Sequence, residues 1–519
     1  MTRPGSLARN VASNWIGIPI TVAYGLIITP IIVRALDTEL YGVWSFLNGL
    51  LMYSDLLYVG LGSALIKYVA QHRANDDQAS MNRLISVVTG IYGVIGLMCF
   101  AVMIAISTFV PYLFAEPLSV EAARAASATC ILLGAQLLFV FLGSAFSGLI
   151  CGHNRFDLVN IVGIATVAIR FVAIPLILAT GRDPLFRLAL LTSSVAAIQT
   201  LMLAAIAYRF VPRLSVRLVR WRRDELRMLY GFGLPSFFIM FAVRLVSFSD
   251  TTIIGIMLGA SSVAIYALPL QLMEYSRTTV GGFTGVLLPR LTTLTTRGDM
   301  ASLREAYLSA TRIACFLTAW LAATVMTIGP AFLNRWVGDA FSAPAQWVLV
   351  FLAVAAFGQV LSTHAPLGFY QSMHLVSFPA KVLMLEALLN LGLSIWLAPR
   401  LGITGVALAT AVPALFISAV LLPPYLCRQL GVPIRTFLAA SVVPGALMFV
   451  ANSVVLYLSG LVITTDSYPA IVARAAISAP VALLVFVVTF PAEERRVVRE
   501  MLASLQYFGR GPRTHRRTV

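Results

Sequence analysis

Apolar runs of about 20 residues or more recur along the whole of this 519-residue chain, and a helix of that length spans the hydrocarbon core of a bilayer. Only 11% of the residues are charged and 59% are hydrophobic, whereas soluble domains carry about 25% charged residues. We count fourteen runs, at about 11–33, 41–66, 84–110, 125–150, 158–180, 186–208, 229–257, 262–289, 306–330, 345–370, 377–398, 403–426, 437–460 and 468–490. The sequence therefore predicts an all-α integral membrane protein with about 14 transmembrane helices.

Basic residues are distributed unevenly between alternate loops. With the N-terminus in the cytoplasm, 26 of the 37 Lys and Arg residues fall on the cytoplasmic side, 7 fall outside and 4 lie within spans. Cytoplasmic loops of membrane proteins carry such an excess of Lys and Arg. The distribution predicts a multi-pass protein with both termini in the cytoplasm, and it accounts for the net charge of +16 without a nucleic-acid partner.

Neither a metal site nor a nucleotide site is indicated. The five cysteines are scattered through apolar stretches without a CxxC pair, and the phosphate-cradling pattern GxxxxGK[ST] is absent. We therefore predict no metal and no cofactor. A proton or a sodium ion is left as the candidate coupling ion for transport.

Part of the sequence repeats within the chain. Positions 36–91 align without a gap with positions 258–313 and share 11 identities, and spans one to six recur as spans seven to twelve. Because six is an even number of crossings, the two repeats are parallel, and a transporter of this kind binds its substrate in the cleft between them. The predicted organisation is a first half at 1–210, a cytoplasmic basic linker at 211–228, a second half at 229–430, two additional transmembrane helices within 431–490 and a basic cytoplasmic tail at 491–519.

Four segments carry a family resemblance: NWIGIPI at 14–20, ALDTELYGVWSF at 35–46, GLGSALIKYVAQ at 60–71 and LGASSVAIYAL at 258–268. With the fourteen spans, they resemble the polysaccharide and O-antigen flippases of the multidrug/oligosaccharidyl-lipid/polysaccharide exporter superfamily. The resemblance implies translocation of an undecaprenyl-diphosphate-linked oligosaccharide across the bacterial inner membrane, for assembly of a lipopolysaccharide O-antigen or an exopolysaccharide. The implied partners are the lipid-linked substrate, membrane lipids and other membrane proteins of polysaccharide assembly.

Four arginines fall inside spans and are the candidate substrate-binding residues: Arg170, Arg244, Arg277 and Arg312. Charged residues at such depth usually face a wet cavity or pair with one another. A guanidinium group holds a diphosphate through two parallel hydrogen bonds. Spans seven and eight, which carry Arg244 and Arg277, line the central cavity in the proteins that this chain resembles. Pairing with a carboxylate is the alternative for each arginine.

Four intramembrane acids and one histidine are the candidates for ion or proton coupling and for gating: Asp55, Asp250, Glu274, Glu386 and His364. Asp55 aligns with Arg277 in the internal repeat, so a salt bridge between the two halves is one prediction. Glu274 lies three residues before Arg277 on the same helix face, and a local pair is the competing prediction.

Three other functions remain open from the sequence. A lipid II flippase would differ only in the glycan that it carries. A drug or cation antiporter of the same superfamily should have a cavity dominated by acids, whereas the intramembrane charges here balance. A membrane-bound polysaccharide polymerase or ligase would need a reactive constellation or a sizeable outer loop, and the sequence shows neither. We therefore expect a transporter that is not an enzyme.

Overall fold

The computed structural model describes residues 4–58, 61–217, 219–230, 234–285, 288–465 and 467–496. Every regular element within these ranges is helical, which confirms the predicted all-α fold. The helices in chain order are α1 Pro4–Met52, α2 Leu61–Ala74, α3 Gln78–Phe109, α4 Val120–Gly152, α5 Phe156–Leu178, α6 Pro184–Phe210, α7 Arg223–Tyr230, α8 Leu234–Leu258, α9 Ala260–Gly285, α10 Leu288–Arg297, α11 Met300–Val337, α12 Asp339–Gln359, α13 Leu367–Ser372, α14 Ser377–Pro413, α15 Ala419–Leu430, α16 Ile434–Phe437, α17 Val443–Val462 and α18 Tyr468–Thr489.

Eleven helical stretches of the described residues are long and apolar enough to cross a bilayer, so the protein is a multi-pass membrane protein. Two of them, Pro19–Leu57 and Ser377–Leu430, are 39 and 54 residues long, and each contains a kink, at Asp37 and Gly402 respectively. Ser377–Leu430 contains two of the predicted runs, 377–398 and 403–426, and Pro19–Leu57 overlaps two others, 11–33 and 41–66. Helix α9 is not among the eleven, although it corresponds to the eighth run.

Some predicted spans are interrupted. After α1 the chain continues as a 3₁₀ segment, Tyr53–Tyr58, instead of a single helix through residue 66. In the second half, π-helical segments follow α12 at Val360–His364 and α14 at Ala414–Ser418. Such irregular turns within membrane helices frequently mark functional positions.

The two halves share the geometry of their corners. Five residues with positive φ in the first half or the linker have counterparts with positive φ, in the same order, in the second half. The pairs are Asp37 and Gly259, Asp76 and Gly298, Asn154 and His374, Asp183 and Gly402, and Arg213 and Gly431. Such backbone conformations are uncommon for residues other than glycine, so these corners are a shared feature of the two parts of the chain.

Helix starts repeat as well. The Asp77 side chain accepts a hydrogen bond from the Ser80 amide at 3.0 Å at the start of α3, and Asp299 accepts from the Ser302 amide at 3.0 Å at the start of α11. These bonds satisfy amide groups that the first turn leaves unpaired. Hydrogen bonds with the Ser80 and Ser302 side chains, and then these amide bonds, hold the pKa of both capping carboxyl groups below its usual value.

Helix α1 carries the main contact between the halves. A Cβ atom at Gly42 would lie 1.8 Å from the Ala260 carbonyl oxygen, so only glycine permits this approach of α1 to α9. Farther along α1, a Cβ atom at Gly49 would lie 3.7 Å from Cβ of Thr251 in α8. At these two glycines the backbone of α1 therefore lies directly against helices of the second half.

A second contact between the halves involves a proline. Pro30 has no amide hydrogen, so the carbonyl of Leu26, four residues earlier in α1, loses its helical partner. The indole Nε1 of Trp336, at the end of α11, donates to this carbonyl at 2.7 Å. A side chain from the second half thus satisfies a backbone group that a membrane helix of the first half leaves free.

The linker lies along α3. Asn82 Nδ2 donates to the Arg213 carbonyl at 2.9 Å, and the Arg217 amide donates to Ser86 Oγ at 3.1 Å. Farther on, Arg83 Nε donates to Glu225 of α7 at 2.5 Å. The linker is therefore fixed to the first half on its way to the second.

Helices α17 and α18 pack on α11. Asn452 Nδ2 donates to the Trp320 carbonyl at 3.1 Å and to Thr324 Oγ1 at 3.0 Å, and Trp320 Nε1 donates to Ser478 Oγ at 3.0 Å. The two additional helices are thus attached to the second half. The predicted basic tail lies outside the described residues beyond position 496.

Candidate functional site

An ion pair joins the two halves at the 3₁₀ segment. Arg244 of α8 lies 3.0 Å from Asp55 through its NH2 group, and its guanidinium lies 5.6 Å from the centre of the Phe248 ring. The two charged side chains are 31% and 37% exposed, although the sequence places both inside predicted spans. Charges at this depth face water or a partner, because hydrocarbon solvates them poorly. The junction between the halves is thus polar and partly open.

The predicted pair between Asp55 and Arg277 is not formed in this structure. Arg277 NH1 instead lies 2.5 Å from Glu274 Oε1, and Asp55 pairs with Arg244. The physical reason is local, since residues three apart on a helix are neighbours on one face before any tertiary contact forms. The competing prediction, a local pair of Glu274 and Arg277, describes the structure.

Three predicted residues meet in a cavity of the second half. Arg277, His364 and Glu386 line it together with Gln359 and Thr363. His364 and Thr363 come from the first π-helical segment, where the wider turn brings their side chains near the Gln359 carbonyl. The cavity measures about 40 Å³. One water needs about 10–15 Å³, so the space suits a few waters or an ion and excludes a sugar.

The carboxyl group of Glu386 is held by the second π-helical segment. Ser418 Oγ, from Ala414–Ser418, donates to Glu386 Oε2, and the Glu386 side chain is buried. Carboxylates are seldom buried without such partners. Both irregular segments of the second half therefore contribute polar groups to one buried cluster.

Asp250 lies in a separate buried network. Its Oδ2 accepts hydrogen bonds from Tyr266 OH at 2.5 Å and from Thr410 Oγ1 at 2.7 Å. Asn390 Nδ2 donates to Thr410 Oγ1 at 2.9 Å, and Ser249 Oγ donates to Asn390 Oδ1 at 3.2 Å. Among the described residues, Oδ1 of Asp250 has no hydrogen-bond partner. A fully buried carboxyl group with one unused oxygen can bind a proton or a cation.

Sequence reasoning missed the neutral members of this network. Tyr266, Asn390 and Thr410 sit in apolar helices, where an isolated hydroxyl or amide is common and draws no attention. Asn390 and Thr410 both belong to the one long helix α14, on either side of its kink at Gly402. Only the chain reversal at that kink brings them together.

The other two predicted arginines have different surroundings. Arg170 lines a cavity of the first half and forms no ion pair within the described part of the chain. Arg312 donates to Glu494 at 2.9 Å and lies 5.8 Å from the centre of the Phe490 ring, close to the end of α18. Arg312 therefore pairs structurally within the C-terminal region, which is the alternative that the sequence left open for it.

Two sequence comparisons match more than half of this chain. The family model described as "Polysaccharide biosynthesis protein" matches residues 7–295. The uncharacterized membrane protein EpsK of Bacillus subtilis (strain 168) is 24% identical over 496 residues, covering 94% of this chain and 96% of that protein.

Solved structures share the fold. The inward-facing structure of a multidrug resistance MATE family transporter of the MOP superfamily has a TM-score of 0.68 at 17% identity, over 79% of this chain and 94% of that one. The lipid II flippase MurJ in an inward closed conformation has a TM-score of 0.64 at 16% identity, over 91% and 97%. A MOP superfamily transporter from Pyrococcus furiosus, with a binding pocket of reversed polarity, has a TM-score of 0.63 at 15% identity, over 82% and 95%. With more than half of its residues matched by the family model, the chain belongs to the polysaccharide biosynthesis protein family.

Proposed function

We propose that this protein moves an undecaprenyl-diphosphate-linked oligosaccharide from the cytoplasmic to the outer face of the bacterial inner membrane by alternating access. The moved lipid then serves the assembly of a cell-surface polysaccharide. The observation that carries the proposal is the one-third exposure of Asp55 and Arg244 inside spans, at the junction of the two halves. Such exposure requires a wet cleft within the bilayer. A cleft of this kind is the path that a polar head group needs.

The proposed architecture is two parallel six-helix repeats, at 1–210 and 229–430, with two further helices within 431–490. Fourteen crossings result when Pro19–Leu57 and Ser377–Leu430 each cross twice and α9 crosses once. The five recurring corners and the paired capping aspartates support this duplication.

An even number of crossings puts both termini, with the linker and the basic tail, on one side of the membrane, and we assign that side to the cytoplasm because it carries the excess of Lys and Arg. In intact cells, with outer-membrane access provided, an impermeant thiol reagent should label Thr465→Cys and leave Arg513→Cys unlabelled. The opposite labelling would reverse the orientation.

Arg244 and Arg277 are the proposed contacts of the second half with the substrate. The test uses proteoliposomes that contain a fluorescent undecaprenyl-diphosphate-linked oligosaccharide and an impermeant quencher outside. We expect Arg244→Ala and Arg277→Ala to slow flipping at least about 10-fold, and the Lys variants to recover part of it, because lysine keeps the charge and loses the fork.

Arg312→Lys is the matched control, an intramembrane arginine paired outside the cleft, and it should flip at the wild-type rate. Normal flipping by both alanine variants would refute the proposal that Arg244 and Arg277 contact the substrate. No flipping by the wild-type protein would refute the proposed function and favour a drug or cation antiporter, which a substrate screen would then identify.

Asp250 is the proposed coupling group. Its carboxyl group is 2% exposed, its Oδ1 has no partner among the described residues, and its Oδ2 accepts hydrogen bonds from Tyr266 and Thr410. A carboxylate oxygen is a ligand for a hard cation, and the carboxyl group can instead hold a proton. Flipping by the wild-type protein should therefore rise with an imposed sodium or proton gradient.

Asp250→Asn keeps the shape and loses the charge, so it should abolish the response to the gradient. Glu386→Gln is the matched variant in the smaller cavity. A gradient response that survives in Asp250→Asn and disappears in Glu386→Gln would move the coupling site to Glu386.

A further inference from the structure

A second cavity lies in the first half and is larger than the one around Glu386. It lies between α1, α4, α5 and α6 and measures about 210 Å³. Drug-sized ligands occupy sites of roughly 300–1,000 Å³. The space therefore suits one small polar group with its waters and is too small for an oligosaccharide.

The charge of this cavity is unbalanced. Arg170 of α5 is the one charged side chain among the described residues that line it. A guanidinium group cannot lose its proton in a protein, so it keeps its charge in this low-dielectric setting. An isolated charge inside a membrane is costly unless a partner compensates it. No carboxylate of the described lining does so, which leaves the compensating charge to a ligand.

Two polar atoms of the same lining are unsatisfied. Nε of Arg170 and Oε1 of Gln136 are both buried without a hydrogen-bond partner in the described structure. Thr192 and Asn48 add a hydroxyl and an amide to the lining. Unsatisfied buried polar atoms are rare in folded proteins and call for an explanation. Nε of Arg170 is a donor that an anion can accept from, whereas the Gln136 oxygen is an acceptor that a water molecule or a protonated phosphate oxygen can satisfy.

The second half closes this cavity with one side chain. Gln271 of α9 lines the cavity, and its Nε2 donates to Thr29 Oγ1 of α1 at 3.1 Å and to Tyr275 OH at 2.6 Å. Tyr275 fits against α1 because residue 25 is glycine, where a Cβ atom would lie 1.8 Å from the tyrosine oxygen. The cavity is therefore complete only while α9 stays against α1.

We infer that this cavity is a phosphate-binding site, in which Arg170 holds a phosphate group of the lipid-linked substrate and Gln271 closes the site from the second half. The inference rests on the proposed function and assigns the anionic group of the proposed substrate to the cavity around Arg170. The planar fork of arginine matches phosphate oxygens, and the neutral donors around it can fill the remaining lone pairs. In the smaller cavity of the second half, Arg277 is already paired with Glu274, so that lining lacks the unpaired cation present here.

Occupancy of this site would depend on the relative position of the halves. A phosphate group bound at Arg170 accepts hydrogen bonds from the first half throughout. Gln271 closes the site through its bonds to Thr29 and Tyr275, without a bond to the ligand, and this closure is lost when α9 separates from α1. The ligand should therefore be held more tightly in the present conformation. That difference in affinity between two conformations is what allows a ligand to shift their populations.

A binding measurement tests the inference independently of transport. Trp44 lines the cavity, so its fluorescence can report binding to the purified full-length protein in detergent, with Trp44→Phe showing that the signal comes from this site. The probes are undecaprenyl diphosphate and inorganic pyrophosphate. We expect Arg170→Met to weaken binding of undecaprenyl diphosphate about 100-fold and Arg170→Lys about 10-fold, because the first loses the charge and the second only the fork.

Gln271→Glu tests the closing residue by charge alone. It keeps the size of the side chain and places a negative charge beside the site, so it should weaken binding about 10-fold. Arg312→Lys should bind as the wild type does. If Arg170→Met fails to fold, Gln271→Glu and Arg170→Lys still test whether this cavity binds the phosphate group.

The outcomes separate the inference from the function on which it rests. Binding of undecaprenyl diphosphate, alone or with pyrophosphate, that falls in the Arg170 and Gln271 variants supports the site. Binding of pyrophosphate alone would assign the site to a free phosphate compound and overturn the inference. Wild-type affinity in Arg170→Met would also overturn it, even where the protein flips lipid-linked oligosaccharide normally. Intact binding in a protein that flips nothing would refute the function and leave the phosphate site standing.

Discussion

The close approach of Gly42 to the Ala260 carbonyl gives a sharp prediction for Gly42→Ala. The added Cβ atom would lie 1.8 Å from the Ala260 carbonyl oxygen, and side-chain Cβ atoms essentially never come within 3.0 Å of another atom. Helix α1 and the start of α9 must therefore move apart. Overpacking of this kind costs about 1–3 kcal/mol. A conformation in which the halves are apart avoids that cost, so its population should rise about 5- to 150-fold.

A disulfide pair can measure this separation. In the present conformation, Cβ of Gly49→Cys would lie 3.7 Å from Cβ of residue 251, close to the mean of about 3.8 Å for disulfides. Gly49→Cys with Thr251→Cys should therefore cross-link rapidly under mild oxidation. The rate should fall at least about 5-fold when Gly42→Ala is added, at unchanged protein abundance.

Gly163→Ala is the control, because nothing lies within 4 Å of the Cβ position at this glycine of α5. It should leave the cross-linking rate as it was. Equal rates for the Gly42 and Gly163 variants would refute the close approach of α1 to Ala260.

Two further predictions concern ion pairs. Asp55→Arg and Arg244→Asp should each slow flipping, and the double swap should recover part of it, because a partly exposed pair at 3.0 Å is worth about 1–2 kcal/mol after allowance for solvent screening; additive losses would show that the two residues act independently. Glu225→Gln should lower thermal stability at pH 7. Burial opposes ionisation of Glu225, but hydrogen bonds from Arg83 and the Arg222 amide outweigh it and hold its pKa below the usual value. The stabilisation is then present at neutral pH and lost as the pH falls through that pKa, and a difference in melting temperature that persists in acid would contradict the assignment.

The sequence predicts the helices well and the repeat only in part. Apolar runs identify membrane helices because the bilayer demands a continuous apolar stretch with its backbone satisfied internally. The ungapped match ends near position 91, and beyond it the paired corners lie progressively closer together in sequence, from Asp76 and Gly298 to Arg213 and Gly431. Each small change in loop length shifts every following residue out of register. The corners at Asn154 and Arg213 therefore have counterparts that an ungapped comparison cannot find.

For the candidate site, the sequence predicts which residues take part but not how they pair. Charges in spans stand out in a sequence, and Arg277, Glu386 and His364 do share a cavity. The partners of these charges depend on contacts between distant segments of the chain. The internal repeat alone therefore could not predict that Asp55 pairs with Arg244 instead of Arg277. Pseudo-symmetry relates equivalent positions in the two halves, but it does not predict which side chains contact each other across the interface between the halves.

The bond from Trp336 to the Leu26 carbonyl bears on which parts of the protein move together. An unpaired carbonyl in the membrane interior costs several kcal/mol, so the stretch of α1 before Pro30 is held to α11 for as long as no water replaces the indole. Bending at Pro30 would let this stretch travel with α11 while the remainder of α1 follows the first half. Under the proposed alternating access, the boundary between the moving parts would then pass through a proline within the first helix, far ahead of the predicted linker at 211–228.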